Sequence, residues 1–246
     1  MAQINDKINE EFSIAIGQLL DGIMLANNNI DELIKISAED FLRWTSHIKA
    51  FHKFINGLAH DSNKPLLNDN LSLMVKDLQF HDIISQKLRH IQSVFSTLKT
   101  EFKQLLNGDI TIDKALYVYA FPDILLLDRA LFDFIIEEYK TSTENLKQEL
   151  SNLWKEEKIR DLLKSEVLVM SRKSEFYTLA VQVSNCLANL NTLATPMLLR
   201  EKNILRRDQV LDKVKKGFTM RSERMIYNQV FKKGNDENET VDIDLF

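Results

Sequence analysis

The sequence predicts an all-α protein: a long antiparallel helical hairpin that forms a helix bundle, followed by additional C-terminal helices and a flexible acidic tail. Only six glycines and three prolines occur among its 246 residues, and so few helix-breaking residues favour long helices. Apolar residues recur with the spacing of an amphipathic helix along most of the chain. No stretch of useful length alternates with the period that is typical of a strand.

Residues 1–108 are predicted to form the hairpin. Its first arm carries helical apolar spacing from Asn5 to about Asn56, and the run Asn27-Asn28-Asn29 is the one candidate break in that arm. The stretch from Gly57 to Asn70 is rich in turn-forming residues, so we expect it to connect the two arms.

The second arm is predicted to be one helix from about Leu71 to Leu106. It ends at Asn107-Gly108-Asp109, because glycine directly after a helix favours its termination. One face of this helix is apolar and is expected to pack against a partner helix: Leu73, Phe80, Ile84, Ile91, Phe95 and Leu98. The opposite face is polar and is expected to face solvent: Gln79, Asp82, Gln86, Arg89 and Ser93.

Residues 109–233 are predicted to be an additional helical region, and residues 234–246 a polar linker with a terminal peptide. Two starts are open for the first of these helices, near Thr111 or after Phe121-Pro122-Asp123, and it is expected to continue towards Lys164. Further helices are expected over Glu166 to Leu193 and over Met197 to about Lys233, the last of which Gly217 kinks or splits.

Charge is distributed unevenly along the chain. The formal net charge of −4 indicates no general attraction to nucleic acid or lipid. Arg200 to Lys233 nevertheless holds eleven basic and four acidic residues, and Gly234 to Phe246 holds five acidic residues and no basic one. The N-terminal residues lack the pattern of a signal peptide, and charged residues and Pro122 interrupt the apolar stretch from Ala115 to Ile136. We therefore expect a cytoplasmic protein without membrane insertion.

The polar face of the second arm holds the strongest candidate for chemistry. Asp82 and Gln86 are four residues apart, so their side chains lie one above the other on the predicted helix. An uncharged amide can donate to and accept from a water molecule, and it brings no negative charge towards a phosphoryl group. Such pairs also occur on ordinary solvated helix faces.

The segment Leu78-Gln79-Phe80-His81-Asp82-Ile83-Ile84-Ser85-Gln86-Lys87-Leu88 resembles the signature of the CheZ family of chemotaxis phosphatases. The resemblance implies a protein phosphatase of two-component signalling that acts on phosphorylated CheY, a response regulator of flagellar motility that carries an aspartyl phosphate and Mg²⁺. By that resemblance Gln86 orients the attacking water, Asp82 pairs with the invariant lysine of the regulator, and Gln79 and Arg89 belong to the partner-binding surface. No cofactor or metal of the chain's own is implied, and the family works as a homodimer, for which the apolar stripe of the second arm also argues.

The terminal peptide adds to this resemblance. The family ends in a linker and a short acidic, apolar peptide that binds CheY away from the active site, and the corresponding residues here are Val241, Asp242, Ile243, Asp244, Leu245 and Phe246. A tethered second contact raises the effective concentration of the partner. A frayed terminus, or one folded against the basic stretch from Arg200 to Lys216, is the other interpretation.

His81, beside Asp82, is expected to be a solvent-exposed helical histidine, and a place on the docking surface is the alternative. Two further functions stay open for the whole chain. One is a non-catalytic helical adaptor or scaffold of bacterial signalling, and the other is a coiled-coil signalling module, against which the irregular apolar spacing argues.

Overall fold

The computed structural model describes residues 2–57, 64–110, 116–153, 173–198 and 204–231. The described residues form seven helices and no strand, which confirms the all-α fold class. In chain order the helices are α1 (Ala2–Gly57), α2 (Lys64–Leu78), α3 (Phe80–Asn107), α4 (Leu116–Leu153), α5 (Lys173–Leu198), α6 (Ile204–Gly217) and α7 (Arg221–Phe231). The predicted linker and terminal peptide, residues 234–246, lie outside the described residues.

The first arm is a single helix, and the candidate break at Asn27-Asn28-Asn29 does not interrupt it. Its buried face continues through that run, because Ala26, Ile30 and Leu33 are all fully buried. Burial of an apolar stripe outweighs the weak helix propensity of three asparagines.

The second arm is divided at Gln79 into α2 and α3, so the prediction of one helix from Leu71 to Leu106 was wrong. At the division the main-chain N–H of Gln79 donates to Lys76 O, and that of Asp82 donates to Gln79 O, both at 3.2 Å. The buried face turns by roughly a third of a helical turn across the division. Leu73, predicted to be buried, is therefore 48% exposed, whereas Met74 is fully buried.

The remaining stripe residues are buried within the chain itself: Phe80, Ile84, Ile91, Phe95 and Leu98. The stripe therefore needs no second copy of the chain to cover it. Helix α3 ends as predicted at Gly108, which has a φ of 75°. Asp109 N donates to Gln104 O at 2.9 Å, the closing bond that is typical of a glycine-terminated helix.

Helix α4 begins at Leu116, so it includes Phe121-Pro122-Asp123, and the later of the two predicted starts was wrong. A side chain of α3 satisfies its first main-chain donors: Glu101 Oε2 accepts from Tyr117 N at 2.8 Å and from Val118 N at 3.3 Å. The predicted continuation of this helix towards Lys164 lies outside the described residues. The predicted split at Gly217 is confirmed, because α6 ends there and α7 begins at Arg221.

The chain forms two compact units, each assembled from separated segments. The first unit comprises the described residues of Met1–Ile30, Lys87–Asp133 and Val181–Phe246, and the second comprises those of Asp31–Gln86 and Phe134–Ala180. Helices α1, α3, α4 and α5 contribute to both units. Within the described ranges, none of the helices combines the length and apolar character needed to cross a membrane.

Candidate functional site

Asp82 and Gln86 lie at the beginning of α3, in the second unit, on its solvent-facing side. Asp82 is exposed and Gln86 is partly exposed, as the sequence predicted. The Nε2 amide of Gln86 donates to Asp82 Oδ2 at 2.8 Å, so the two side chains form one hydrogen-bonded acid–amide pair. Asp82 also lies in the first turn of α3, where the partial positive charge of the helix N-terminus favours a carboxylate.

Two of the other residues predicted on this face, Gln79 and Arg89, are exposed as well. Gln79 is exposed in the turn that divides α2 from α3, and its main-chain oxygen accepts from Asp82 N and from Ile83 N at 3.3 Å. The turn therefore supplies the acceptor for two main-chain N–H groups in the first turn of α3. Arg89 is exposed on α3.

His81 is buried, with only 2% of its surface exposed, and the prediction of a solvent-exposed histidine was wrong. Its ring packs against Phe80, with centroids 4.0 Å apart, and its Nδ1 lies 3.2 Å from the hydroxyl oxygen of Ser37 on α1. The buried side of α3 is wider than the predicted stripe, because it also includes Leu88, which lies on the same side of the helix as His81. Burial lowers the pKa of His81 to about 4, so the imidazole is neutral near pH 7.

A polar and aromatic cluster packs against the buried side of the first turn of α3, where the ring of Tyr139 lies 5.9 Å from that of Phe80. The hydroxyl of Tyr139 donates to Asp40 Oδ2 at 3.4 Å, and the Tyr139 ring stacks on Phe176 with centroids 3.9 Å apart. Burial, with the Asp40 carboxylate as a second cause, raises the pKa of Tyr139. Sequence reasoning missed this cluster. Its signal was present, since Ser37 and Asp40 occupy core positions in the apolar stripe of α1.

In the first unit, Glu223 forms a second buried polar centre. Its side chain is fully buried, its Oε1 lies 2.6 Å from His90 Nδ1, and its Oε2 accepts from Met220 N at 3.1 Å. The last contact is the reciprocal half of a capping box at the start of α7. These contacts make Glu223 a structural anchor at the start of α7.

The basic stretch is partly neutralised within the first unit. Arg207 on α6 holds Asp123 on α4 through two hydrogen bonds of 2.6 Å and 2.8 Å. Bidentate pairs of this kind are the stronger arginine–carboxylate contacts. The terminal peptide from Val241 to Phe246, predicted to bind a partner, lies outside the described residues.

Comparison with known proteins identifies no relative: no family model, no curated protein and no solved structure matches this chain. The class that the fold and the site define is therefore an all-α helical bundle with an exposed acid–amide pair at a helix start.

Proposed function

We propose that this chain is a CheZ-like protein phosphatase that accelerates hydrolysis of the aspartyl phosphate of a CheY-type response regulator. Gln86 would orient the attacking water, and Asp82 would dock the regulator. The observation that carries the proposal is the hydrogen-bonded pair of Asp82 and Gln86 on the solvent-facing side of α3, where another protein can reach it. The resemblance of Leu78–Leu88 to the CheZ signature supplies the reaction.

The geometry of the amide suits this chemistry. Because Gln86 Nε2 donates to Asp82, the amide is held in one orientation and its Oε1 is the acceptor left for a water molecule. A water that donates one hydrogen to Oε1 directs a lone pair elsewhere, which is what in-line attack on phosphorus requires. Attack forms the bond from the water oxygen to phosphorus and breaks the bond from phosphorus to the aspartyl oxygen. The products are the aspartate carboxylate and dihydrogen phosphate, and the phosphate keeps both hydrogens of the water.

Asp82 can hold the Gln86 amide and dock the regulator at the same time. A carboxylate has two oxygens, and only Oδ2 is used by Gln86, so Oδ1 remains available to an ammonium group of the regulator. Such an ion pair would place the amide over the phosphorylated pocket. The Mg²⁺ needed for the reaction belongs to the regulator in this proposal, and the chain contributes no metal ligand.

Two parts of the proposal rest on the resemblance alone. The terminal peptide from Val241 to Phe246 would recruit the regulator through a second contact, which raises its effective concentration at α3. Homodimerisation is proposed only because the CheZ family works as a homodimer. The apolar stripe of α3 gives no support to it, because that stripe is buried within the chain.

Decay of the phosphorylated regulator in the presence of Mg²⁺ tests the catalytic pair. The parent protein should accelerate the decay, and Gln86→Ala should remove most of that acceleration, at least about tenfold, because the water loses its orienting group. Gln86→Glu keeps the shape of the side chain but brings negative charge to the phosphoryl oxygens. It should therefore be no more active than Gln86→Ala. Gln182→Ala, the same truncation on the exposed face of α5, is the matched control and should behave like the parent.

A parent protein that leaves the decay rate unchanged, while still binding the regulator, would sink the phosphatase assignment. That result would favour the non-catalytic adaptor. Removal of Val241–Phe246 separates recruitment from chemistry: regulator binding should weaken by more than about tenfold, while decay at saturating regulator should change little. Equal binding with and without the peptide would refute its recruiting role.

A further inference from the structure

Ser37 and His81 form a buried polar contact in the core of the second unit. Ser37 is fully buried, and its hydroxyl oxygen lies 3.2 Å from His81 Nδ1 and 3.5 Å from the main-chain oxygen of His81. The other ring nitrogen, Nε2, is buried without a hydrogen-bond partner among the described residues. An unsatisfied buried nitrogen destabilises the folded state, so an apolar residue would be expected here if packing alone were needed.

The position of this contact along the chain gives it a specific effect. It lies two residues after Gln79, where the helix divides and where Asp82 N bonds to a carbonyl only three residues back. Because α2 ends at Leu78, the first turn of α3 is not the continuation of a preceding helical turn, so side-chain contacts contribute to its orientation. A side chain that is packed but not hydrogen-bonded, such as Phe80, tolerates small rotations, whereas hydrogen bonds lose strength quickly with misalignment.

The next residue after His81 is Asp82, and Gln86 follows one turn later. Ser37 touches both the imidazole and the main chain of His81, so it fixes the rotation of this first turn against α1. A fixed rotation determines the direction in which Asp82 projects, and the 2.8 Å bond then carries that direction to Gln86.

We propose that His81, held by Ser37, is a positioning residue that sets the orientation of the Asp82–Gln86 pair. The catalytic meaning of this role rests on the proposed phosphatase function, but the positioning itself is a property of the free protein. His81 touches neither water nor partner, since it is buried.

The experiment uses the full chain and compares three variants. Ser37→Ala removes the hydroxyl, and His81→Leu fills the core without a hydrogen-bonding group. His81→Asn places an amide near the position of Nδ1 and omits Nε2, so it can still bond to Ser37. Ser13→Ala, a serine truncation on the exposed part of α1, is the control.

The main measurement is the side-chain amide signal of Gln86 in NMR spectra, assigned by its absence in Gln86→Ala. In the parent protein and in His81→Asn one amide proton should be shifted downfield and should exchange slowly, because it is bonded to Asp82. In Ser37→Ala and His81→Leu this signal should move at least half of the way to that of a free glutamine. Circular dichroism and thermal unfolding verify that each variant is folded.

A role in packing alone predicts the reverse order, with His81→Leu like the parent and His81→Asn impaired, and that order would overturn the proposal. An unchanged Gln86 signal in all three variants would overturn it as well. If the parent accelerates regulator dephosphorylation, Ser37→Ala should lower kcat about tenfold and change KM less than about twofold. A parent without activity refutes the phosphatase function, while the NMR result still decides the positioning.

Discussion

The two compact units each bury a titratable side chain, but the two side chains differ in the number of their hydrogen-bond partners. In the first unit both carboxylate oxygens of Glu223 have a partner, His90 on one side and the N–H of Met220 on the other. In the second unit His81 has Ser37 as its only side-chain hydrogen-bond partner among the described residues, and its Nε2 has none. Burial is nearly the same for Glu223 and His81, at 0% and 2% exposed.

The difference shows that the number of partners, not burial alone, decides what a buried ionisable group contributes. A fully partnered group stabilises the packing of the elements it joins, and its removal leaves other groups unsatisfied. A partly partnered group resists ionisation and makes stability depend on pH. Asp128, in the first unit, is of the second kind: it is buried, its Oδ2 has no partner among the described residues, and burial raises its pKa well above the ordinary value.

The largest expected effect comes from breaking the fully partnered centre. Glu223→Ala removes the cap of α7 and the partner of His90 together, so it should lower the free energy of unfolding by about 3 kcal/mol. Glu223→Gln can still accept from Met220 N and should cost less. Glu175→Ala, at an exposed first-turn glutamate of α5, should cost less than about 1 kcal/mol. Denaturant titrations measure all three, and an equal loss in Glu175→Ala would contradict the comparison.

The next effect is a pH dependence that His81 should cause. The folded protein keeps this imidazole neutral down to about pH 4, whereas the unfolded chain takes up the proton near the ordinary pKa of 6.5. The unfolded state therefore binds more protons in this window, and stability should fall as pH falls from 6.5 to about 4, by roughly 3 kcal/mol. The difference in unfolding free energy between the parent and His81→Asn, followed across this window, isolates the contribution. A constant difference would contradict it.

Asp128 should act in the opposite direction. Its folded pKa is raised, so the folded state binds the proton at pH values where the unfolded carboxyl has lost it. Stability should fall as pH rises above 3.8, by up to about 1.4 kcal/mol for each pH unit until the folded group ionises. Asp128→Asn should flatten this slope, and Asp133→Asn, at an exposed position of the same helix, should leave it unchanged. Equal slopes in the parent and Asp128→Asn would refute the assignment.

The smallest effect belongs to the exposed pair. Gln86→Ala removes a hydrogen bond at helical spacing on a solvent-facing surface, so it should change the free energy of unfolding by less than about 0.5 kcal/mol. Thermal or denaturant unfolding measures it. A loss as large as that of Glu223→Ala would show that the pair is structural, and lower phosphatase activity in the variant would then say nothing about catalysis.

Much of the fold could be predicted from the sequence, because it depends on spacing alone. The helical class, the end of α3 at Gly108 and the split at Gly217 all follow from apolar periodicity and from glycine. The division at Gln79 could not be predicted, because no glycine or proline marks it. That missed division accounts for the wrong placement of Leu73, whereas His81 was misplaced because the buried side of α3 is wider than the predicted stripe.

The candidate site, too, could be predicted only in part. The exposure of Asp82 and Gln86 follows from their position opposite the apolar stripe, so it was predictable. Their hydrogen bond and the support from Ser37 depend on contacts between residues far apart in the sequence. The role of Glu223 could not be predicted for another reason. Its capping box begins at Met220, and methionine is not a residue type that marks the start of a helix.

The corner between α3 and α4 bears on how the chain folds. Glu101 satisfies the first donors of α4 from only 16 and 17 residues away, and the rings of Phe102 and Phe121 meet edge to face with centroids 5.2 Å apart. Contacts between residues so close in the sequence cost little loop-closure entropy and tend to form quickly. We therefore expect this corner to be among the earliest ordered parts of the chain, ahead of the contacts that join α1 to α5.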